Sequence, residues 1–240
     1  MMIYSLFLLL GNILITSNNM AEFKSNEQLV VNKCIDFEIN GKGDNAQWSD
    51  VSWNDMTIMD KTENEYTTKF KMLYSDNGIY VLGYCEDKII STDYKTDQGD
   101  IWNGDVFEVF LQTDEGNPLY FEYEINPLNT ELVILVPNNN GDFFGWLPWH
   151  YEGDRKVKKA IHIKDGVAET GAKVSGWTAE VFFPYELFKA LKNVPPQPNT
   201  EWKGNFYRMD YDSGERIKWG WKSVESTFHE YDKFGSIIFK

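Results

Sequence analysis

The segment Val106-Phe107-Glu108-Val109-Phe110-Leu111 alternates strictly. Phe107, Val109 and Leu111 fall on one face of an extended chain, and Val106, Glu108 and Phe110 on the other, because successive strand side chains point to opposite sides. The loop Gly99-Asp100-Ile101-Trp102-Asn103-Gly104-Asp105 precedes it, and Asn103-Gly104 reads as a turn pair tolerant of positive φ. One large aromatic, Trp102, and two carboxylates, Asp100 and Asp105, therefore feed a half-buried strand that carries Glu108. After the turn Thr113 to Pro118, Tyr120, Glu122 and Glu124 alternate with Phe121, Tyr123 and Ile125, and Asn126-Pro127 ends the run. The spacing predicts an antiparallel hairpin with a core face and a polar, aromatic-edged face.

Similar alternation recurs along the chain. Tyr66 to Leu73 and Ile79 to Tyr84 flank the hairpin signal Asp76-Asn77-Gly78. Leu132 to Val136, Trp177 to Phe183, Asn205 to Tyr211 and Gly235 to Phe239 read as strands, and Gln28 to Phe37 as an extended segment. Tyr185 to Leu191 suits one or two helical turns. Nine to eleven short strands without a long helix predict an all-β domain over residues 28–240. The expected form is a β-sandwich of two packed, mostly antiparallel sheets, jelly-roll-like. The long region after Asn138-Asn139-Asn140-Gly141 holds Trp146, Trp149 and His150, then the basic run Arg155 to Lys159. A stretch that long with little periodicity reads as a functional loop or insertion.

Residues 3–15 are almost wholly apolar. That is too short for a bilayer core of about 30 Å but suits a signal-peptide core, so residues 1–19 are expected to be removed on export. The mature domain would then be secreted, periplasmic or on the cell surface, with no membrane span. A start at Met20 would instead leave it cytoplasmic. Lys and Arg number 23 against 37 Asp and Glu, a formal charge of −14, which repels phosphate backbones and excludes nucleic acid as a partner. Cys34 and Cys85 suit either a disulfide or two buried thiols.

No catalytic constellation emerges. His150, His162 and His229 have no metal-ligand spacing, and nucleophile-elbow, phosphate-loop and dinucleotide signatures are absent. The chain is expected not to be an enzyme. Sugar binding needs less: an indole covers the apolar face of a pyranose, and carboxylate, amide or guanidinium groups take its hydroxyls. Trp102, in its polar loop, is the best plate. Trp219 and Trp221 lie two apart, on one face of any strand that holds them. Arg208 shares a face with Phe206, so a buried ion-paired arginine competes with a ligand clamp.

The chain resembles carbohydrate-binding module family 9 within the wider DOMON-like sandwiches. The matching blocks are Gly41-Lys42 with Trp48, Tyr80-Val81 leading to Asp87, Ile101 to Phe110, and Tyr120 to Pro127. Gly176 to Pro184, Trp202 to Arg208, Phe228-His229 and Phe234-Gly235 follow in order. The resemblance implies a non-catalytic domain that sandwiches the terminal sugar of an oligosaccharide or polysaccharide between two tryptophans, with structural calcium in some members. It implies Trp102 as one plate, Glu108 and Asn126 as polar partners, either Trp219 or Trp221 as the second plate, and Arg208 in a block matching the family's. Calcium candidates are Asp87, Asp100 and Asp105. Where the family pattern has Gly-Thr and then Asp after Asn-Pro, this chain has Asn129-Thr130-Glu131. Two alternatives remain: a docking domain for other surface or secreted glycan-utilisation proteins, and a haem domain using Met72 or Met209 with a histidine.

Overall fold

The computed structural model describes residues 28–143 and 150–240. Residues 1–19, and Trp146 and Trp149, lie outside the described residues. The described strands are β1 (Gln28–Lys33), β2 (Asn54–Ile58), β3 (Thr68–Tyr74), β4 (Gly78–Cys85), β5 (Val106–Gln112), β6 (Leu119–Ile125) and β7 (Glu131–Asn139). They continue with β8 (Asp142–Phe143), β9 (Lys158–Lys164), β10 (Gly176–Pro184), β11 (Glu201–Asp210), β12 (Ile217–Gly220) and β13 (Gly235–Phe239). Helical structure among the described residues is confined to short 3-10 turns. The class is all-β.

The described strands outnumber the nine to eleven expected because β2, β8, β9 and β12 carry weak patterns. β8 has two residues. β9 is an edge strand whose Lys158, His162 and Lys164 are exposed, as water-facing edges require, and this disguised it as an irregular basic run.

Hydrogen bonding follows the path β8-β7-β6-β5-β11-β12-β2-β3-β4-β10-β9, with β1 and β13 joining from the side. β1 pairs in parallel with both β13 and β3, while β13 pairs with β11. A ring of six strands thus closes through β11, β12, β2, β3, β1 and β13, rather than leaving two independent sheets.

The hydrophobic phase of β5 and β6 sets the core. Phe107, Val109 and Leu111 join Phe121, Tyr123 and Ile125 in one buried cluster with Trp177, Val181 and Phe183 of β10. Phe121 meets Phe183 edge-on at 5.4 Å between ring centroids, and Phe70 stacks on Phe206 at 3.7 Å. Gly83 on β4 leaves room for this packing, since a Cβ there would lie 2.9 Å from the Phe107 ring. Cys85 belongs to the same core while Cys34 is half-buried, and both are free thiols.

The opposite face of the hairpin departs from expectation. It is not an open polar face, for every residue of β5 is buried. Val106, Phe110, Tyr120, Leu132, Ile134, Tyr207 and Met209 form a second cluster, covered in part by Trp102, Val224, Phe228 and Tyr231. The returning segment between β12 and β13 roofs this face and leaves a pocket in it.

Candidate functional site

The pocket holds about 370 Å³. β5 contributes Glu108 and Phe110, β6 Glu122 and Glu124, β7 Ile134 and β11 Met209. Trp102 stands in the 3-10 turn before β5, Arg216 and Lys218 lie at β12, and Ser226 to His229 come from the roof. Strand register brings the acids together: Glu108 pairs with Glu124, and Phe110 with Glu122. All three carboxyls thereby share the face opposite the main core.

The Trp102 turn is held at both ends. Tyr211 donates its hydroxyl to the Trp102 carbonyl at 2.9 Å, and Asp105 accepts from the backbone N–H groups of Ser91 at 2.5 Å and Tyr211 at 3.0 Å. Gly104 is extended, with φ −149°. A Cβ there would lie 2.6 Å from that of Thr92. Close approach, not positive φ, is what demands glycine.

The acids form an unusual floor. Glu108, Glu122 and Glu124 are 2%, 4% and 2% exposed. Glu108 Oε1, Glu122 Oε2 and Glu124 Oε2 have no hydrogen-bond partner. Burial pushes Glu122 up to about 8. Burial first, and neighbouring carboxyls second, hold Glu108 and Glu124 well above the usual carboxylate range. His229 Nδ1 lies 2.6 Å from the Tyr120 hydroxyl and 3.7 Å from Glu122 Oε2, and burial lowers the imidazole to about 4. Phe228 stacks on Tyr207 with centroids 4.0 Å apart.

Of the residues expected at the site, Trp102 and Glu108 meet in this pocket. Asn126, Arg208, Trp219 and Trp221 do not line it, and each has a structural reason. Asn126 is fully buried: its amide donates to the Tyr94 carbonyl at 2.8 Å and accepts from the N–H groups of Leu128 and Thr130. It thereby shapes the β6–β7 turn, where Asn129 adopts φ 62° in the family's glycine position. Glu131, next in that turn, accepts from the hydroxyls of Tyr123 and Tyr151.

Arg208 is wholly buried on the Phe206 side of β11. Its guanidinium donates to Asp210 at 2.6 Å, Asp87 at 3.3 Å and Thr68 at 3.0 Å, and lies 4.8 Å from the Trp219 ring. Trp219 pairs with Arg208 in register, so it faces the core as well, and it donates Nε1–H to the Tyr66 carbonyl. Trp221 packs edge-on against Phe70 and Phe206. The alternation that gives Trp219 to the core gives Lys218 to the pocket.

Asp87 and Asp105 do converge. Together with Asp212 their carboxylate oxygens lie within 4.8 Å of one another, whereas exposed Asp100 is not among them. Asp87 also accepts from Trp177 Nε1 at 3.0 Å, and Asp212 from the Tyr66 hydroxyl at 2.9 Å. Burial raises Asp87 to about 7, opposed by Arg208, and Asp105 to about 8. This knot lies behind the Trp102 turn, joined to it through Asp105.

Glu122, Glu124, Phe228 and His229 are pocket residues that sequence reasoning did not select. The signal existed for the two acids, which share Glu108's strand phase, and for Phe228-His229, which closes the family pattern.

Fold and pocket together define a β-rich binding domain. The chain belongs to the carbohydrate family 9 binding domain-like family, whose model matches residues 39–240. As a member it is a binding domain rather than an enzyme. Comparison with curated proteins finds no match. Among solved structures, a candidate carbohydrate-binding protein of Bacteroides uniformis superposes with TM-score 0.73 at 16% identity, over 89% of this chain and 99% of that one. A family 9 carbohydrate-binding module of Caldicellulosiruptor kristjanssonii in complex with cellotriose gives TM-score 0.62 at 16% identity, over 89% and 93%. The glucose complex of a family 9 module from the same organism gives 0.60 at 17%, over 89% and 95%. At these identities the likeness speaks to fold. Among the described residues no helix is long and apolar enough to cross a membrane.

Proposed function

We propose that the domain binds the end of a glycan chain in the Trp102 pocket, with the indole stacked on the terminal sugar and Glu108 hydrogen-bonded to its hydroxyls. The observation that carries this reading is the meeting of a half-buried tryptophan and a buried carboxyl with an unpartnered oxygen in one pocket. Indole supplies the apolar plate, and the carboxyl supplies acceptor sites that a hydroxyl can fill. The cellotriose and glucose complexes of related modules support the same ligand class. With Trp219 in the core, Phe228 takes the place of the second plate. Calorimetric titration with cellotriose and other soluble oligosaccharides should give saturable, one-to-one binding. Absence of heat with every glycan end tried would count against the reading.

The two arms of the strand ladder are read as the layers of a jelly-roll-like sandwich stitched at its edges. The apolar segment 3–15 supports export, where polysaccharide and other glycan-handling proteins would be met. A carboxyl floor suits sugar hydroxyls better than the apolar faces of a haem, although Met209 and His229 both line the pocket. Calcium fits the aspartate knot, because Asp87, Asp105 and Asp212 bring carboxylate oxygens within 4.8 Å of one another, while Arg208 bonds only Asp87 of the three, and hard cations take several oxygens. Asp87, Asp105 and Asp212 would hold it, and its charge would fix the turn that carries Trp102. Dialysis against chelator should then lower the melting temperature, with recovery on adding calcium but not sodium. An unchanged melting temperature would argue against a structural ion.

A further inference from the structure

The floor of the pocket has an unbalanced chemistry. Three buried carboxyls from two adjacent strands each present an oxygen without a donor. Among the basic groups of the pocket, His229 Nδ1 stands 3.7 Å from Glu122 Oε2, but burial lowers it to about 4, so it brings no positive charge near neutrality. Lys218 is 3.4 Å from Asp60, and Arg216 is exposed at the mouth. Burying a carboxyl without a donor is costly, and leaving three together is costlier still. A ligand that fills such a floor should bring donors and positive charge.

We propose that the sugar this pocket is built to take carries a free amino group, an ammonium on the terminal ring seated among Glu108, Glu122 and Glu124. The inference rests on the sugar-binding reading above and names its ligand class. An ammonium offers three N–H donors and no acceptor, whereas each hydroxyl brings lone pairs along with its one donor. The three carboxyls match the first pattern once the ammonium takes the place of the protons that burial holds on them, so binding releases protons to solvent. Ion-assisted hydrogen bonds are also roughly twice as strong as neutral ones. Trp102 at the side of the pocket would still cover the ring's C–H face, so the amino group selects while the indole holds.

The probes are three trimers with the same β-1,4 linkage: the glucosamine trimer, cellotriose and the N-acetylglucosamine trimer. Titrations at pH 6.5 and moderate salt keep the amine charged. The glucosamine trimer should bind about tenfold or more tightly than cellotriose, as one charge-assisted hydrogen bond allows, and acetylation, which removes the charge, should abolish that advantage. Glu124→Gln should narrow the ratio between glucosamine trimer and cellotriose toward one. Its melting temperature should hold or rise, because a buried acid becomes a neutral isostere. If Glu124→Gln does not fold, Glu122→Gln serves the same purpose. Glucosamine binding must also fall in Trp102→Ala; undiminished binding there would reflect attraction to the acidic surface and overturn the proposal. Cellotriose binding as tightly as the glucosamine trimer, with both dependent on Trp102, would overturn the amino-sugar inference and leave the sugar-binding reading intact. Silence of all three trimers would remove both.

Discussion

Arg208→Met is expected to destabilise the protein by about 3–5 kcal/mol, the scale for removing one partner of a buried ion pair. The guanidinium is wholly buried and bonds both Asp87 and Asp210, and Asp105 and Asp212 lie beside Asp87. Methionine keeps much of the stem's packing but leaves Asp87 and Asp210 desolvated without their donor. Those carboxyls anchor elements far apart in the chain, Asp87 through Trp177 of β10 and Asp210 through the end of β11. Arg208→Lys should recover only part of the loss, since an ammonium cannot reproduce donors to Asp87, Asp210 and Thr68 in one plane. Urea denaturation of both variants checks this. A loss below about 1 kcal/mol for Arg208→Met, the range of an exposed pair, would show that the knot does not support the fold.

Stability should also fall on the alkaline side of neutrality. Burial raises Glu122 to about 8 in the folded chain and holds Glu108 and Glu124 well above the usual carboxylate range, against about 4.3 for Glu when unfolded. The folded state therefore keeps protons that the unfolded state has released. Stability from these groups is full below the unfolded values and is lost as pH rises through the folded ones. His229 acts oppositely: burial lowers it to about 4, so its contribution disappears as pH falls below about 6.5. Between pH 6.5 and 8.5 the carboxyls alone operate. Each such group contributes about 1.4 kcal/mol per pH unit up to its folded value, so Glu122 alone gives a loss of roughly 2 kcal/mol, or about 4–8 °C in melting temperature. A melting temperature level or rising over that interval would contradict the buried, proton-holding state of these acids. Glu122→Gln should make the fall shallower.

Much of the fold is legible in the chain because β5, β6, β10 and β11 each bury one apolar face against the same core, and period-2 alternation records that directly. Strands β2, β8, β9 and β12 escape notice for physical reasons: β2, β8 and β12 are too short, at two to five residues, to show a period, and the edge strand β9 carries water-facing charges. The site is legible in a narrower sense. Trp102 and Glu108 follow from a polar loop feeding an alternating strand, and the strand phase that exposes Glu108 to the pocket exposes Glu122 and Glu124 as well. Arg208, Trp219 and Asn126 could not be placed from sequence alone. An arginine beside Phe206 is equally consistent with a clamp and with a buried pair until Asp87, over a hundred positions away, is seen beneath it. Phe228 and His229 come from an irregular roof whose path is set by tertiary packing on Tyr207 and Tyr120, and no periodicity announces them.

Trp102→Ala tests the central claim most directly, because a ligand plate and a core anchor respond differently to truncation. The variant should retain a melting temperature within a few degrees of the parent. Its affinity for whichever oligosaccharide the parent binds should fall by about 1–3 kcal/mol, taking the stacking of a base on an aromatic side chain as the nearest measured analogue. Trp219→Ala, which empties a fully buried site beneath Arg208, should instead lose about 3–5 kcal/mol of stability. Both proteins, denatured thermally and titrated alongside the parent, give the comparison. Undiminished sugar binding by a folded Trp102→Ala, or a loss of stability as large as that of Trp219→Ala, would contradict the assignment of this pocket.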